Sequence, residues 1–251
     1  MVHCVKLDKM VGFLSWQFDM LYYFKLKLYY FSAMADLKLL AHLESYITEN
    51  RLNRFNKVLS QRTKHFAVAV EDVYHLHNTS AVMRSCDVFG VQDLHVIEAV
   101  NRKRIDREIA MGAQKWVDLH RHSSSMDCVD VLRKQGYQIV ATTPHTDNIL
   151  LDDFNIETPA CFFFGREVDG LSDQILQQAD CHLKIPMVGF TESLNISVSV
   201  AIILQYVTTQ LRQSQVAWQL SEHEKTEIKM RWIKNTIHSY DKIVEHYYNT
   251  K

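Results

Sequence analysis

Glycine is scarce in this chain of 251 residues, and its positive and negative charges almost cancel. The seven glycines are about 3% of the chain, against a usual share of about 7%, and three of them fall between positions 165 and 189. No Gly-x-Gly-x-x-Gly sequence follows the first predicted strand, which argues against a Rossmann dinucleotide site. The net charge of −1 excludes a polycation, so a nucleic-acid partner would have to be held by local basic patches.

Cysteine is also used sparingly, without any pattern that suggests pairing. The five cysteines are odd in number, widely spaced and free of any Cys-x-x-Cys pair. This usage predicts reduced thiols in a cytoplasmic protein and argues against a disulfide framework or a zinc site. His75 and His77 form no metal-ligand spacing either, so the sequence predicts structural histidines and no metal.

The first 33 residues have an unusual composition. Residues 13–31 are aromatic and apolar but are interrupted by Asp19, Lys25 and Lys27, which makes a membrane-spanning helix a poor fit. A signal peptide fits poorly too, because the basic residues fall inside the apolar run and no small-residue cleavage site follows. We predict no membrane segment and interpret residues 1–33 as an upstream extension, with Met34 beginning the functional protein. The alternative is an additional amphipathic surface helix.

The rest of the chain predicts one α/β domain with a helical extension at each end. Short apolar runs at 66–70, 94–97, 137–142, 160–164 and 182–185 predict strands, and helical patterns occupy 81–89, 126–134 and 173–178. Strands that alternate with helices and lack hairpin turns imply a mostly parallel sheet covered on both faces. We therefore predict a domain over 66–211, an N-terminal helical extension over 34–65 and a C-terminal one over 212–251.

Both extensions carry basic residues. The N-terminal extension has a helical apolar pattern with few acids, and its basic residues include Arg51, Arg54, Lys57 and Arg62. Residues 218–251 predict a terminal amphipathic helix, for which a solvated charged face and an RNA contact are both open interpretations.

The segment 185–204 predicts a strand end, a polar turn and an apolar helix. Ser193 stands where a helix N-cap is expected, with Leu194 and Asn195 beginning the helix. The helix that follows is apolar on nearly every side, so it requires burial on more than one face. One of its faces is a candidate contact with another subunit.

Three segments follow one another in an order typical of a known family. Asn78-Thr-Ser-Ala-Val-Met-Arg84 has Asn, then Ala three residues on and Arg six on; Gly165-Arg-Glu-Val-Asp-Gly170 has Gly-x-Glu-x-x-Gly; the third is the turn and helix just described. Together they resemble the three motifs of the SpoU/TrmH family of SPOUT (α/β-knot) RNA 2′-O-methyltransferases. The resemblance covers about residues 66–211.

The resemblance implies a C-terminal trefoil knot, a homodimer and S-adenosyl-L-methionine as the cofactor. It places the cofactor against loops near 140–142, 165–170 and 185–195, with Thr142, Gly165, Ile185 and Leu194 as binding residues. The implied substrate is tRNA, methylated at a D-loop guanosine. Ribosomal RNA, the tRNA wobble ribose, and a catalytically silent RNA-binding protein are the alternatives.

By the same resemblance, Arg84 is the catalytic arginine. A guanidinium is effectively always charged, so charge stabilisation and phosphate alignment are easier to defend on physical grounds than the base role that the family suggests. Glu167 either holds the cofactor loops or caps the next helix, and Ser193 and Asn195 either brace Arg84 or act as caps. Asn78 completes the catalytic set.

RNA binding is assigned to basic residues at two places. Arg102, Lys103 and Arg104 form a short basic loop after the second predicted strand, beside the presumed active site. Arg51, Arg54 and Lys57 lie in the N-terminal extension. Clustered cations of this kind are typical phosphate contacts.

Overall fold

A computed structural model of the chain describes residues 37–73, 76–98, 107–144, 149–166 and 169–250. The predictions for residues 1–33, for Glu167 and for the cluster at 102–104 lie outside these ranges. The described residues belong to two compact units. One is Arg54–Lys225, and the other joins the described residues up to Asn53 to those from Thr226 onward. The predicted domain boundaries at 33, 65 and 211 stay predictions.

The Arg54–Lys225 unit is built on a parallel sheet. Its strands are β1 (Thr63–Glu71), β2 (Val91–Ile97), β3 (Asp118–His122), β4 (Gln138–Thr142), β5 (Ile149–Leu150), β6 (Ala160–Phe164) and β7 (Cys181–Lys184). Their order is β3-β2-β1-β6-β4-β7-β5, and every neighbouring pair is parallel. The predicted parallel α/β architecture is confirmed. The sequence missed β3, which is rich in charged residues and histidine, and β5, which has only two residues.

Helices cover the sheet within the Arg54–Lys225 unit and make up the other unit. They are α1 (residues 37–44), α2 (Glu49–Leu59), α3 (Leu76–Phe89), α4 (Arg107–Ala110), α5 (Ser125–Lys134), α6 (Asp173–Gln178), α7 (Ile196–Gln213), α8 (Glu222–Lys234) and α9 (Tyr240–Asn249). Among the helices in the described part of the chain, none has the length and apolar character that a bilayer-spanning segment requires.

The strands send alternate side chains to two apolar layers, one on each face of the sheet. On one face, Val68 and Phe162 belong to a buried cluster with residues of α3 and α7. On the other face, Ala69 and Phe163 belong to a second cluster with residues of α5 and α6. Because successive strand residues point to opposite faces, strands covered on both sides bury nearly all of their residues, including Gln92, Asp93 and His95 of β2.

The strand register brings the predicted motifs to one edge of the sheet. Val70 of β1 pairs with Phe164 of β6, and Thr142 of β4 pairs with Leu183 of β7. The segments that follow these strands therefore leave the sheet side by side at its carboxyl edge. In open parallel sheets this edge is where ligands bind.

The unit formed by the two ends of the described chain is helical. Leu43 of α1 and Trp232 of α8 are both buried, and Lys229 forms an ion pair with Glu44 at 3.0 Å. The predicted terminal helix is in fact two helices, because residues 235–239 separate α8 from α9. The N-terminal helical pattern is likewise divided, since residues 45–48 separate α1 from α2.

Arg62, one of the basic residues of the N-terminal extension, is buried. The side chain is 1% exposed, forms an ion pair with Asp87, and donates a hydrogen bond to the backbone oxygen of Val91 at 3.2 Å. Burial lowers the pKa of the guanidinium, while Asp87 opposes that shift. Arg62 therefore joins the start of β1 to α3 and β2 and offers no surface to a nucleic acid.

Candidate active site

A cavity of about 490 Å³ opens at the carboxyl edge of the sheet. Its lining includes the four residues that the sequence assigns to the cofactor, namely Thr142, Gly165, Ile185 and Leu194. Ser193 lines it as well. The volume is in the range of about 300–1,000 Å³ that is usual for small-ligand sites. The fold thus collects residues from three loops around one space, as the motifs require, while their roles stay predictions.

The loop from Gly165 to Gly170 is closed on itself. Arg166 N–H donates to the Gly170 oxygen at 2.9 Å, and Gly170 N–H donates back to the Arg166 oxygen at 3.0 Å. A Cβ atom added to Gly165 would lie 2.1 Å from the carbonyl carbon of Gly170, and Gly170 itself has a φ of 71°. Both glycines of the second motif are therefore required by the backbone geometry.

Two acidic residues at the end of β1 hold the segments around this loop. The Glu71 carboxylate accepts hydrogen bonds from the Ser172 backbone N–H at 2.8 Å, from the Ser172 hydroxyl at 2.7 Å, and from the hydroxyl of Ser125. Asp72 accepts a hydrogen bond from Arg166 Nη2 at 3.1 Å. The sequence analysis missed this pair, although acidic residues directly after a buried parallel strand are a recognisable signal.

The turn before α7 differs from its prediction. The helix begins at Ile196, and its N-cap is Asn195 rather than Ser193. Asn195 Oδ1 accepts from the Ser197 backbone N–H at 2.9 Å and from the Ser197 hydroxyl at 2.6 Å. Asparagine is a strong N-cap, and here it fulfils that role two residues later than predicted. Ser193 is left exposed in the loop that lines the cavity.

Arg84 does not line the cavity. It is exposed on α3 and borders a separate groove between α3 and α7. The first turn of α7 separates the two spaces, because Ile196 and Ser199 line the cavity whereas Ser197 and Val198 line the groove. Within one chain, the predicted catalytic arginine and the predicted cofactor residues therefore lie on opposite sides of that turn.

The groove beside Arg84 is unusually apolar for an exposed surface. Val88 of α3 is 68% exposed, and Val198 and Ile202 of α7 are 44% and 37% exposed. On the other side of α7, Val200, Ile203 and Leu204 are buried in the core. We predicted that α7 needs burial on more than one face. Within the single chain, only the face toward the core is buried, and the face along the groove is exposed. Asn78, near the start of α3, is 9% exposed.

The predicted RNA-binding residues of α2 are exposed. Arg51, Arg54 and Lys57 all lie on the outer side of the helix, whereas Phe55 and Leu59 are buried. Their position is compatible with phosphate contacts but does not test them.

Comparison with known proteins agrees with these features. A parallel α/β fold with a ligand-sized cavity at its carboxyl edge defines a class of cofactor-binding enzymes. Residues 65–205 match the SpoU rRNA Methylase family. A tRNA (guanosine(18)-2′-O)-methyltransferase of Borreliella burgdorferi is 35% identical over 204 residues, 81% of this chain and 94% of that protein. The chain therefore belongs to the SpoU methylase family.

A sequence match and a structure match come from Aquifex aeolicus. A tRNA (guanosine(18)-2′-O)-methyltransferase is 32% identical over 194 residues, 76% of this chain and 92% of that protein. The crystal structure of the A. aeolicus TrmH/SpoU tRNA modifying enzyme has a TM-score of 0.69 and 32% identity, covering 75% of this chain and 98% of that one. This likeness confirms the predicted family fold.

Proposed function

We propose that this chain is an S-adenosylmethionine-dependent RNA ribose 2′-O-methyltransferase that acts on guanosine 18 in the D-loop of tRNA. The observation that carries the proposal is the shared cavity of Thr142, Gly165, Ile185 and Leu194 at the carboxyl edge of the sheet. The substrate follows from the relatives, which carry the activity at 35% and 32% identity and are matched over 94% and 92% of their length. With four free cysteines among its described residues, the enzyme is assigned to the cytoplasm.

The cavity suits S-adenosylmethionine in its chemistry. Leu176, Leu183 and Ile203 supply apolar surface for an adenine ring. Glu192 also lines the cavity and provides negative charge for a cationic ligand, whereas the Asp169 carboxylate lies 3.6 Å from the Arg166 guanidinium. When bound, the cofactor supplies an electrophilic methyl group that needs no metal.

Arg84 is assigned to the reacting ribose. Its side chain is exposed, and a guanidinium there stabilises negative charge on the 2′ oxygen and aligns the neighbouring phosphate through two parallel hydrogen bonds. Asn195 caps α7 and thereby fixes the turn between the cavity and the groove. Ser193 and Glu167 are assigned to the loops around the cofactor, and Asn78 to the support of Arg84.

A homodimer would bring the Arg84 of one copy to the cavity of the other. A second copy packed on the α3–α7 surface would cover Val88, Val198 and Ile202, the exposed apolar residues of the groove. It would also set the Arg84 of one copy against the α7 turn of the other. We therefore propose that each active site is shared between two copies, with the family's trefoil knot forming the cofactor loops.

The first test replaces the arginine alone. Arg84→Ala is expected to lower methyl transfer by about 100- to 10,000-fold, the usual effect of a positioned catalytic group, with cofactor affinity within severalfold of wild type. Arg133→Ala removes an exposed arginine from the other face of the sheet and serves as the control. A variant of Arg84 that keeps more than half of the wild-type turnover would exclude the arginine from the mechanism.

The second test mixes two inactive proteins. Arg84→Ala keeps an intact cavity, and Gly165→Val keeps Arg84 but fills the loop, so a mixed dimer contains one complete site only if sites are shared. Methyl transfer by the mixture supports sharing, whereas an inactive mixture that contains heterodimers argues for a site within one chain.

The substrate is tested separately. A tRNA with a 2′-deoxyguanosine at position 18 should accept no methyl group. Transfer to ribosomal RNA or to the wobble ribose instead would change the substrate assignment.

A further inference from the structure

Three potential metal ligands meet on the α5 side of the sheet, away from the residues that line the cavity and the groove. They are His95 of β2, His122 of β3 and Cys128 of α5, which we call the His2Cys cluster. One ligand atom from each lies within 4.8 Å of the other two. All three side chains are buried, at 2%, 8% and 0% exposure.

The distances within the His2Cys cluster suit a tetrahedral ion. His95 Nδ1 and His122 Nε2 are 3.0 Å apart. Two nitrogens bound to one tetrahedral zinc at about 2.0–2.1 Å are separated by roughly 3.3 Å, so a shift of a few tenths of an ångström admits the ion. The thiolate–zinc bond is longer, at about 2.3 Å, and the Cys128 sulfur lies within 4.8 Å of a nitrogen of each ring.

The surroundings supply an outer shell of the usual kind. His122 Nδ1 lies 3.4 Å from the Asp127 carboxylate, so the ring directs Nε2 inward and its other nitrogen toward a carboxylate. Metal-bound histidines almost always donate their second N–H in this way. The His120 ring stacks on His95 with centroids 4.6 Å apart and is itself held by Asp93 at 2.8 Å.

The donor atoms of the His2Cys cluster are two imidazole nitrogens and one sulfur. Imidazole and thiolate together suit zinc better than magnesium or calcium, which prefer oxygen ligands.

We propose that the His2Cys cluster binds one Zn²⁺ ion, with Asp127 as its outer-shell carboxylate and a water molecule as the fourth ligand. The ion would connect β2 and β3, at one edge of the sheet, to α5. The sequence prediction of no metal was based on the spacing of potential ligands along the chain. Such spacing does not reveal this cluster, because its ligands come from three separate elements. The transfer reaction proposed above does not depend on this ion.

Cobalt titration of the full-length chain tests the proposal. Co²⁺ bound by a thiolate gives a near-ultraviolet charge-transfer band, and a tetrahedral site adds visible bands. We expect both at one equivalent per chain, together with one zinc per chain by mass spectrometry of protein prepared in zinc-containing medium. Cys128→Ala should abolish the charge-transfer band, whereas Cys86→Ala, an equally buried cysteine on the other face of the sheet, should keep it.

A second variant, at the exposed Asp127, keeps the test informative if Cys128→Ala does not fold. The Asp127 side chain is 57% exposed, so Asp127→Asn should fold normally and weaken cobalt binding by about 10- to 100-fold, the usual effect of losing an outer-shell partner. The proposal is overturned if wild type gives no charge-transfer band at saturating Co²⁺, because His95 and His122 would then be only a hydrogen-bonded pair. It is equally overturned if folded Cys128→Ala retains the band or if Asp127→Asn binds cobalt as wild type does.

Discussion

Replacing Gly165 with alanine should disable the cofactor cavity through the backbone alone. The new Cβ would lie 2.1 Å from the Gly170 carbonyl carbon and 2.2 Å from both the Gly170 oxygen and the Leu171 nitrogen. Carbon atoms pack at about 3.5–4.0 Å, so the two sides of the loop must separate by about 1.4 Å or more. That movement breaks the two hydrogen bonds between Arg166 and Gly170.

The magnitude follows from this displacement. Misplacing a positioned group by about 1 Å can lower activity by about 100-fold, and overpacking costs about 1–3 kcal/mol in stability. We expect Gly165→Ala to bind S-adenosylmethionine at least about 100-fold more weakly, measured by isothermal titration calorimetry. Circular dichroism and thermal melting should show a folded protein with a modestly lower Tm.

Gly189→Ala is the matched control. Gly189 lies in the predicted cofactor loop 185–195 but does not line the cavity, and the nearest atom to an added Cβ, the Thr191 nitrogen, is 4.0 Å away. This variant should bind the cofactor as wild type does. If Gly165→Ala binds within twofold of wild type, or if Gly189→Ala loses as much affinity, the closed loop does not form the cofactor site and the reasoning from its geometry is wrong.

Further predictions concern stability, assembly and RNA binding. Asp87→Asn removes the negative charge that pairs with the buried Arg62 guanidinium and should destabilise the fold by about 3 kcal/mol, lowering Tm by roughly 6–12 °C, whereas Asp130→Asn on an exposed position should change stability by less than about 0.5 kcal/mol. If the proposed homodimer forms, Ile202→Glu should convert it to a monomer in sedimentation experiments, and a wild-type protein that is fully active as a monomer would contradict the shared site. Removing residues 1–33 should leave turnover and the salt dependence of tRNA affinity unchanged. Joint replacement of Arg51, Arg54 and Lys57 by alanine should instead flatten the slope of log affinity against log salt by about two units. The reason is that each phosphate contact contributes roughly 0.7–0.9 to that slope.

The amino-acid sequence determined the layout of the sheet domain. Short apolar runs predicted the strands, and the runs 66–70 and 160–164 can be recognised without knowing their neighbours because every residue along them is apolar. The strand predicted at 66–70 and the helix at 173–178 are both present, in β1 and α6. The scarcity of glycine also directed attention to Gly165 and Gly170, whose necessity the loop geometry explains.

Only the tertiary structure decided which residues meet across distant parts of the chain. Periodicity reports that a side chain is polar, but not that Arg62 is buried against Asp87 or that Glu71 accepts from Ser172, since those pairs depend on strand register and helix placement. The choice of Asn195 over Ser193 as the cap was a local competition that the sequence left undetermined.

The tertiary structure also decided two features of the candidate sites. One is that Arg84 lies away from the cavity, and the other is the His2Cys cluster. Arg84 and the cavity residues lie in different motifs, and the first turn of α7 decides which side each one faces. The cluster takes its ligands from β2, β3 and α5, and the parallel pairing of His95 with His120 sets where those elements meet. Sequence spacing encodes contacts within an element, whereas sites assembled between elements exist only once the sheet has fixed its order and register.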